Sequence, residues 1–255
     1  MFCHVFNKAR VGQAMRTYST SSTDAAFSES NLQKCVARLQ ATKLGTAKPR
    51  SVEDSSRHRH SSVLIPLCTT RGNKPSILFT LRSTRLPRHK GYVCFPGGIQ
   101  HAEDADPLDT ALREAEEELG LQRSKIQVLG TFPPFYNPLD RMTMTVVLGM
   151  LGQGSDLDLE KSLNVNDDEV QLAFTRTLDE LCDPANLRFT QFRKRHTDYS
   201  MPVFLVGQFK IWGLTAMVLN AFLKALLPDV YTHRVKCVLL DKELYLKTIG
   251  KKDSI

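Results

Sequence analysis

Nowhere in the 255 residues is there an unbroken apolar run of about 18, the length a membrane-spanning helix needs. The longest apolar region, around Trp212–Leu227, is interrupted by Gly213, Thr215, Asn220 and Lys224. No CxxC pair occurs among the six cysteines, at 3, 35, 68, 94, 182 and 237, and no two are close in sequence. That spread points to reduced thiols rather than a disulfide framework or a zinc site. A basic body is missing too. The chain carries 34 Lys and Arg against 27 Asp and Glu, net +7, but residues 1–60 hold 10 bases and 4 acids while residues 61–255 hold 24 and 23. A nearly neutral body argues against nucleic acid as the partner. With 42% hydrophobic and 24% charged residues the chain is neither disordered throughout nor collagen-like, and its length suits one substantial domain with flanking segments.

The first 23 residues contain no acid, while Lys8, Arg10 and Arg16 accompany Phe2, Val5 and Phe6 and a Ser/Thr-rich stretch follows. An acid-poor, Arg-containing, Ser-rich start describes a mitochondrial transit peptide. Residues 1–28 are therefore expected to be a leader, with Arg16-Thr17-Tyr18-Ser19 suited to matrix processing. The final Asp253-Ser254-Ile255 departs from a peroxisomal Ser-Lys-Leu ending, so the mitochondrial matrix is favoured over peroxisome or cytosol. The helical spacing of Leu32, Cys35, Val36 and Leu39 predicts a helix within residues 29–61, followed by a polar linker. Residues 62–228 form the main domain and residues 229–255 a C-terminal extension. Strands are expected at Val63–Cys68, Ile77–Arg82, Val93–Phe95, Gln127–Thr131, Met142–Met150, Glu169–Phe174 and Val203–Phe209, with helices near 107–119 and at Leu214–Leu227. This order predicts an α+β sandwich rather than a regular βαβ series.

The segment Phe95–Leu121 carries the chemistry. Its helix has Asp106 as a cap, Pro107 at the first position and Gly120 as terminator. Glu114, Glu117 and Glu118 stand at i, i+3 and i+4, on one helix face. Carboxylates so crowded repel by a few tenths of a kcal/mol per pair, whereas a hard divalent cation would be stabilised by such oxygen donors. Arg113 is placed to orient a neighbouring carboxylate, and Pro96-Gly97-Gly98 just upstream lets backbone approach a ligand closely.

Together these residues resemble the Nudix box, GX5EX7REUXEEXGU with U a bulky apolar residue: Arg113-Glu114-Ala115-Glu116-Glu117-Glu118-Leu119-Gly120-Leu121 fits its second half. The loop is one residue longer than the pattern, since fourteen residues separate Gly98 from Arg113. Counting back from Arg113 puts Ala105 at the first Glu position, with Glu103 and Asp104 the nearest acids. The stretch from Leu78 to Gly98 resembles the signature LLTxRSxxLRxHxGxVxFPGG of coenzyme A diphosphatases within that superfamily, with Pro87 as an extra position. This resemblance implies a Nudix α/β/α sandwich with a mixed sheet. It implies metal-dependent hydrolysis of the pyrophosphate in coenzyme A or an acyl-CoA, with Mg²⁺ or Mn²⁺ on Glu114, Glu117 and Glu118. Glu117, Arg113 and Glu169 would serve catalysis, the last from a downstream acidic segment. Arg82, Arg85, Arg88, His89, Gly97 and Gly98 would bind the substrate; arginine suits bidentate phosphate contacts. Two readings stay open beside this one: a Nudix hydrolase of a nucleotide, ADP-ribose or NADH, and a catalytically silent binding module. Oligomeric state is not legible.

Overall fold

The computed structural model describes residues 21–42, 59–70, 72–137, 142–152, 163–194 and 197–233. The leader up to residue 20, the linker before Arg59 and the extension beyond residue 233 lie outside the described residues.

Two strands that read as almost continuous apolar runs form the centre, as expected of strands buried on both faces. β1 (Arg59–Thr70) and β2 (Lys74–Arg82) make an antiparallel hairpin, and β7 (Met142–Leu151) runs parallel to β1 with Val63 opposite Val146. The other strands of this sheet are β3 (Val93–Cys94), β4 (Gly97–Ile99), β5 (Ile126–Thr131), β6 (Phe135–Asn137) and β8 (Val170–Thr177). The strand order β3-β2-β1-β7-β5, with one parallel pairing among antiparallel ones, makes a mixed sheet.

Because side chains alternate along a strand, each central strand feeds two cores. Leu64, Cys68, Leu78 and Val147 face the helix α3 (Pro107–Leu119), where Ala111, Ala115 and Leu119 complete one cluster. Ile65, Leu67, Ile77, Phe79, Val146 and Leu148 face the other way, toward helices α2 (Glu29–Gln40) and α5 (Gly213–Leu226). Helices on both faces of a mixed sheet make the expected α/β/α sandwich.

The ends of α3 are set by the residues the sequence marks. The Asp106 carboxylate accepts from Asp109 N–H at 2.8 Å, and Gly120 terminates the helix at φ 68°. Helix α2 is the expected amphipathic helix, with Leu32, Cys35 and Leu39 buried. Its polar side chains close the C-terminus of α5: Arg38 donates to the Ala225 carbonyl at 2.8 Å and Asn31 to the Leu226 carbonyl at 3.1 Å.

Several features were not anticipated. A second sheet of three antiparallel strands, β9 (Leu187–Lys194), β10 (Thr197–Val206) and β11 (Phe209–Ile211), follows the short helix α4 (Leu178–Cys182). The expected strand Val203–Phe209 is divided between β10 and β11 by a turn through Gly207, at φ 66°. Packing also begins inside the segment assigned to the leader: the turn α1 (Ser21–Asp24) leads to Ala26, which is fully buried, and Thr23 donates to Asp179. At the other end Tyr231 is buried beyond the expected domain limit of residue 228. Among the described residues Cys35, Cys68, Cys94 and Cys182 form no disulfide, and burial pushes the thiols of Cys35 and Cys182 up to about 12.

Candidate active site

Helix α3 presents its three acids unequally. At 3.6 residues per turn, Glu118 lies about 40° to one side of Glu114 and Glu117 about 60° to the other. Glu114 and Glu118 point beneath the Gly97-Gly98 loop and are buried, whereas the Glu117 side chain is 52% exposed. Each glycine has a steric reason. A Cβ on Gly98 would strike the Glu114 carboxylate, and one on Gly97, at φ 153°, would lie 2.6 Å from the Val63 backbone.

The third member comes from a different part of the chain. Residues 163–169 wrap the end of α3, with Asn166 N–H donating to the Glu118 carbonyl at 3.0 Å. Ser83 N–H then holds the Glu169 carbonyl at 2.8 Å. Past this point β8 pairs with β2 through a bulge: Leu81 faces Leu172 and Arg82 faces Val170, so Gln171 is passed over. The result brings carboxylate oxygens of Glu114, Glu118 and Glu169 within 4.8 Å of one another. Glu117 is not in that group. Its carboxylate is held by Arg113 at 2.8 Å.

Arg113 organises the helix-side half of the site. Its guanidinium binds Asp104 at 2.7 and 3.0 Å, Glu114 at 3.0 Å, Glu117 at 2.8 Å and the Ile99 carbonyl at 3.2 Å. Asp104 is fastened further by His101 N–H at 2.9 Å and the Thr110 hydroxyl at 3.0 Å. The arginine beside it keeps the Asp104 carboxyl well below the usual carboxylate range. Asp104 thus makes the partnership with Arg113, and the longer loop is absorbed by the turn at His101–Asp106. Counting back from Arg113 reaches Ala105 and misses it; counting forward from Gly98 over five residues arrives at Asp104.

The electrostatics of the group are those of a site built for positive charge. Burial raises the Glu118 carboxyl to about 8, opposed by Arg82 and reinforced by Glu114 and Glu169. Burial also raises Glu114, with Arg113 acting against it. Glu118 Oε2 has no hydrogen-bond partner among the described residues, and neither has Arg82 Nε, although the Arg82 guanidinium comes to 3.8 Å from Glu118 Oε1. A buried orphan oxygen in a set of three crowded carboxylates fits a hard divalent cation.

The remaining candidates lie on the loop between β2 and β3. Arg85 is exposed and paired with Asp168 at 2.8 Å. Arg88 and His89 are exposed, His89 in the left-handed region at φ 55°. Arg82, the last residue of β2, is the arginine that reaches the carboxylates.

A mixed sheet clasped by helices, with the glycines of β4 over an acidic helix whose carboxylates converge with Glu169, makes a candidate site for a divalent cation and an anionic ligand. The match of residues 58–198 to the NUDIX domain agrees with the site, and the chain belongs to the Nudix family as one of its pyrophosphohydrolases. It is 42% identical over 201 residues to the mitochondrial coenzyme A diphosphatase NUDT8 of Mus musculus, covering 78% of this chain and 89% of that protein. Identity to the protein of the same name in Homo sapiens is 42% over 182 residues, covering 71% and 75%. Among solved structures, a C. elegans Ap4A hydrolase binary complex aligns at 16% identity and TM-score 0.38, over 48% of this chain and 82% of that one. Among the described residues no helix is long and apolar enough to cross a membrane.

Proposed function

We propose that the protein hydrolyses the pyrophosphate of coenzyme A or an acyl-CoA, releasing 3′,5′-ADP and 4′-phosphopantetheine or its acylated form, in the mitochondrial matrix. The observation that carries this reading is the Arg82 guanidinium, with an unpartnered Nε–H among the described residues, set against three converging carboxylates. The names of the mouse and human relatives support the substrate and the compartment.

Glu114, Glu118 and Glu169 would hold Mg²⁺ or Mn²⁺, which when bound neutralises phosphate charge and acidifies water. Arg82 donates to a phosphoryl oxygen of the bound diphosphate. Gly97 and Gly98 let the diphosphate approach the backbone. Arg85 and Arg88 supply positive charge along the substrate from the exposed loop, and His89 offers it a ring nitrogen for hydrogen bonding. Glu117, the solvent-facing carboxylate of α3, accepts the proton of the attacking water, and Arg113 holds it in place.

The test is incubation of the full chain with coenzyme A, with Mg²⁺ or Mn²⁺ and separately with chelator, and chromatography of the products. Metal-dependent 3′,5′-ADP is the expected result. Cleavage of ADP-ribose or NADH with coenzyme A left intact would refute the substrate; no metal-dependent turnover of any of them would favour the binding-module reading.

A further inference from the structure

At the seam between the two sheets, where β11 approaches β3, three rings and a cation gather outside the carboxylate site. Tyr92 and Trp212 are in contact, ring centroids 4.7 Å apart and tilted by 54°. His89 meets Tyr92 edge-on at 5.4 Å, and Lys210 Nζ stands 4.8 Å from the Trp212 ring centroid. The aromatic core is complete without them, since Phe79 stacks with Phe95 at 5.2 Å and Phe174 at 5.9 Å. Tyr92 is 37% exposed, and Lys210 and His89 are exposed. Gly213, beside Trp212, has no atom within 4 Å of where a Cβ would stand, so space is open there.

The patch is tied to the carboxylates through a single residue. Arg82 N–H donates to the Tyr92 carbonyl at 3.0 Å, and Gly91 N–H to the Arg82 carbonyl at 3.1 Å. The side chain of that same Arg82 extends to Glu118. The main-chain bonds of Arg82 and its side chain thus link the segment that carries Tyr92 to the acidic cluster.

We propose that Tyr92 and Trp212 seat the adenine of the substrate and that Lys210 takes its ribose 3′-phosphate. The inference rests on the coenzyme A reading above and deepens it by assigning the nucleotide half of the substrate to this seam. A purine has the flat π-face that the exposed Tyr92 ring can stack against, with the half-buried Trp212 ring beside it, and a phosphomonoester suits an exposed ammonium. The pantetheine arm, aliphatic and amide-linked, has no π-face to offer.

Trp212 is the only tryptophan of the chain, so its emission reports the site directly. Full-length protein is titrated with 3′,5′-ADP, 5′-AMP and 4′-phosphopantetheine while emission is followed. Saturable quenching by 3′,5′-ADP is expected, with no response to 4′-phosphopantetheine. Tyr92→Leu should weaken that binding roughly tenfold, and Tyr92→Phe should restore it. Lys210→Met should abolish any preference for 3′,5′-ADP over 5′-AMP. If the wild-type enzyme cleaves coenzyme A while 3′,5′-ADP leaves the emission unmoved, or 4′-phosphopantetheine quenches instead, the adenine site is overturned and the hydrolase reading stands. If coenzyme A is not cleaved yet Tyr92-dependent quenching persists, the substrate reading fails and the seam is supported as the base site for another adenine nucleotide.

Discussion

Replacing Arg113 with methionine removes the cation from the centre of the helix-side network while keeping much of its apolar stem. The Arg113 side chain is 14% exposed and that of Asp104 only 2%. Asp104 keeps the His101 and Thr110 hydrogen bonds but loses its counter-charge. Breaking a buried pair by removing one partner costs about 3–5 kcal/mol. The exposed Glu117 contact adds little to this. At roughly 2–4 °C per kcal/mol for a chain of this size, thermal unfolding should shift down by about 6–20 °C. The pH dependence gives a second reading of the same loss. In the wild type the folded-state pKa of Asp104 is depressed. Its contribution is therefore complete above the unfolded value of about 3.9 and lost only as pH falls through the lower folded value. In Arg113→Met the isolated buried carboxyl is raised instead, so the gap between the proteins should be widest near neutrality and close on acidification. The double variant Asp104→Asn, Arg113→Met should recover at least about 1 kcal/mol of the deficit. A single-variant loss below about 1 kcal/mol, constant with pH, would falsify the view that Asp104 depends on Arg113.

Three further outcomes separate binding, catalysis and stability. Glu118→Gln should raise the thermal midpoint in chelator at pH 8, because a carboxyl raised to about 8 by burial costs stability as pH rises from its unfolded value of 4.5 through 8. That advantage should vanish near pH 4.5, and Mg²⁺ or Mn²⁺ should protect the wild type more than the variant; equal protection of both would remove Glu118 from the cation site. Gly98→Ala should abolish turnover and cost about 1–3 kcal/mol by driving a methyl into the Glu114 carboxylate, and calorimetry beside a coenzyme A assay reads both. Deleting residues 1–28 should lower the thermal midpoint by roughly 5–10 °C, because burial of Ala26 and the Thr23–Asp179 bond are lost together.

Much of the main sheet was legible because its signals are local. Two-sided burial of β1 and β2 writes itself as continuous apolar runs, and Asp106, Pro107 and Gly120 bracket α3 within one residue. The three-stranded sheet was not legible as a unit. Leu187–Lys194 mixes Arg188, Thr190, Gln191 and Arg193 with its apolar residues, and its pairing with β10 is a tertiary event. At the site, helical periodicity placed the three glutamates within one face of α3 but could not rank them. Whether Glu117 or Glu169 joins Glu114 and Glu118 depends on a loop folding over the end of α3 from fifty residues downstream. The arginines posed a similar problem: spacing weights Arg82 and Arg85 alike, and only the fold sets Arg82, at the end of β2, against Glu118 and Arg85, in the loop after it, against Asp168.

The arrangement also accounts for why α3 is so heavily secured. Glu118 leaves an orphan oxygen in a buried position, and two more carboxylates crowd it. Such a group is unfavourable in the absence of positive charge. The opposing stabilisation lies on the same helix and its loop: a cap at Asp106, the left-handed stop at Gly120, and the Arg113 network that fixes Asp104 and the backbone of Ile99. Glu118 cannot relieve its unpaired oxygen by relaxing toward solvent, because its side chain is enclosed beneath Gly97 and Gly98, whereas the Arg82 guanidinium beside it is partly exposed. The crowding of these carboxylates favours binding: a cation or phosphoryl group arriving there satisfies atoms the fold leaves without partners among the described residues, and its binding adds to the stability of the folded state as RT ln(1 + [L]/Kd).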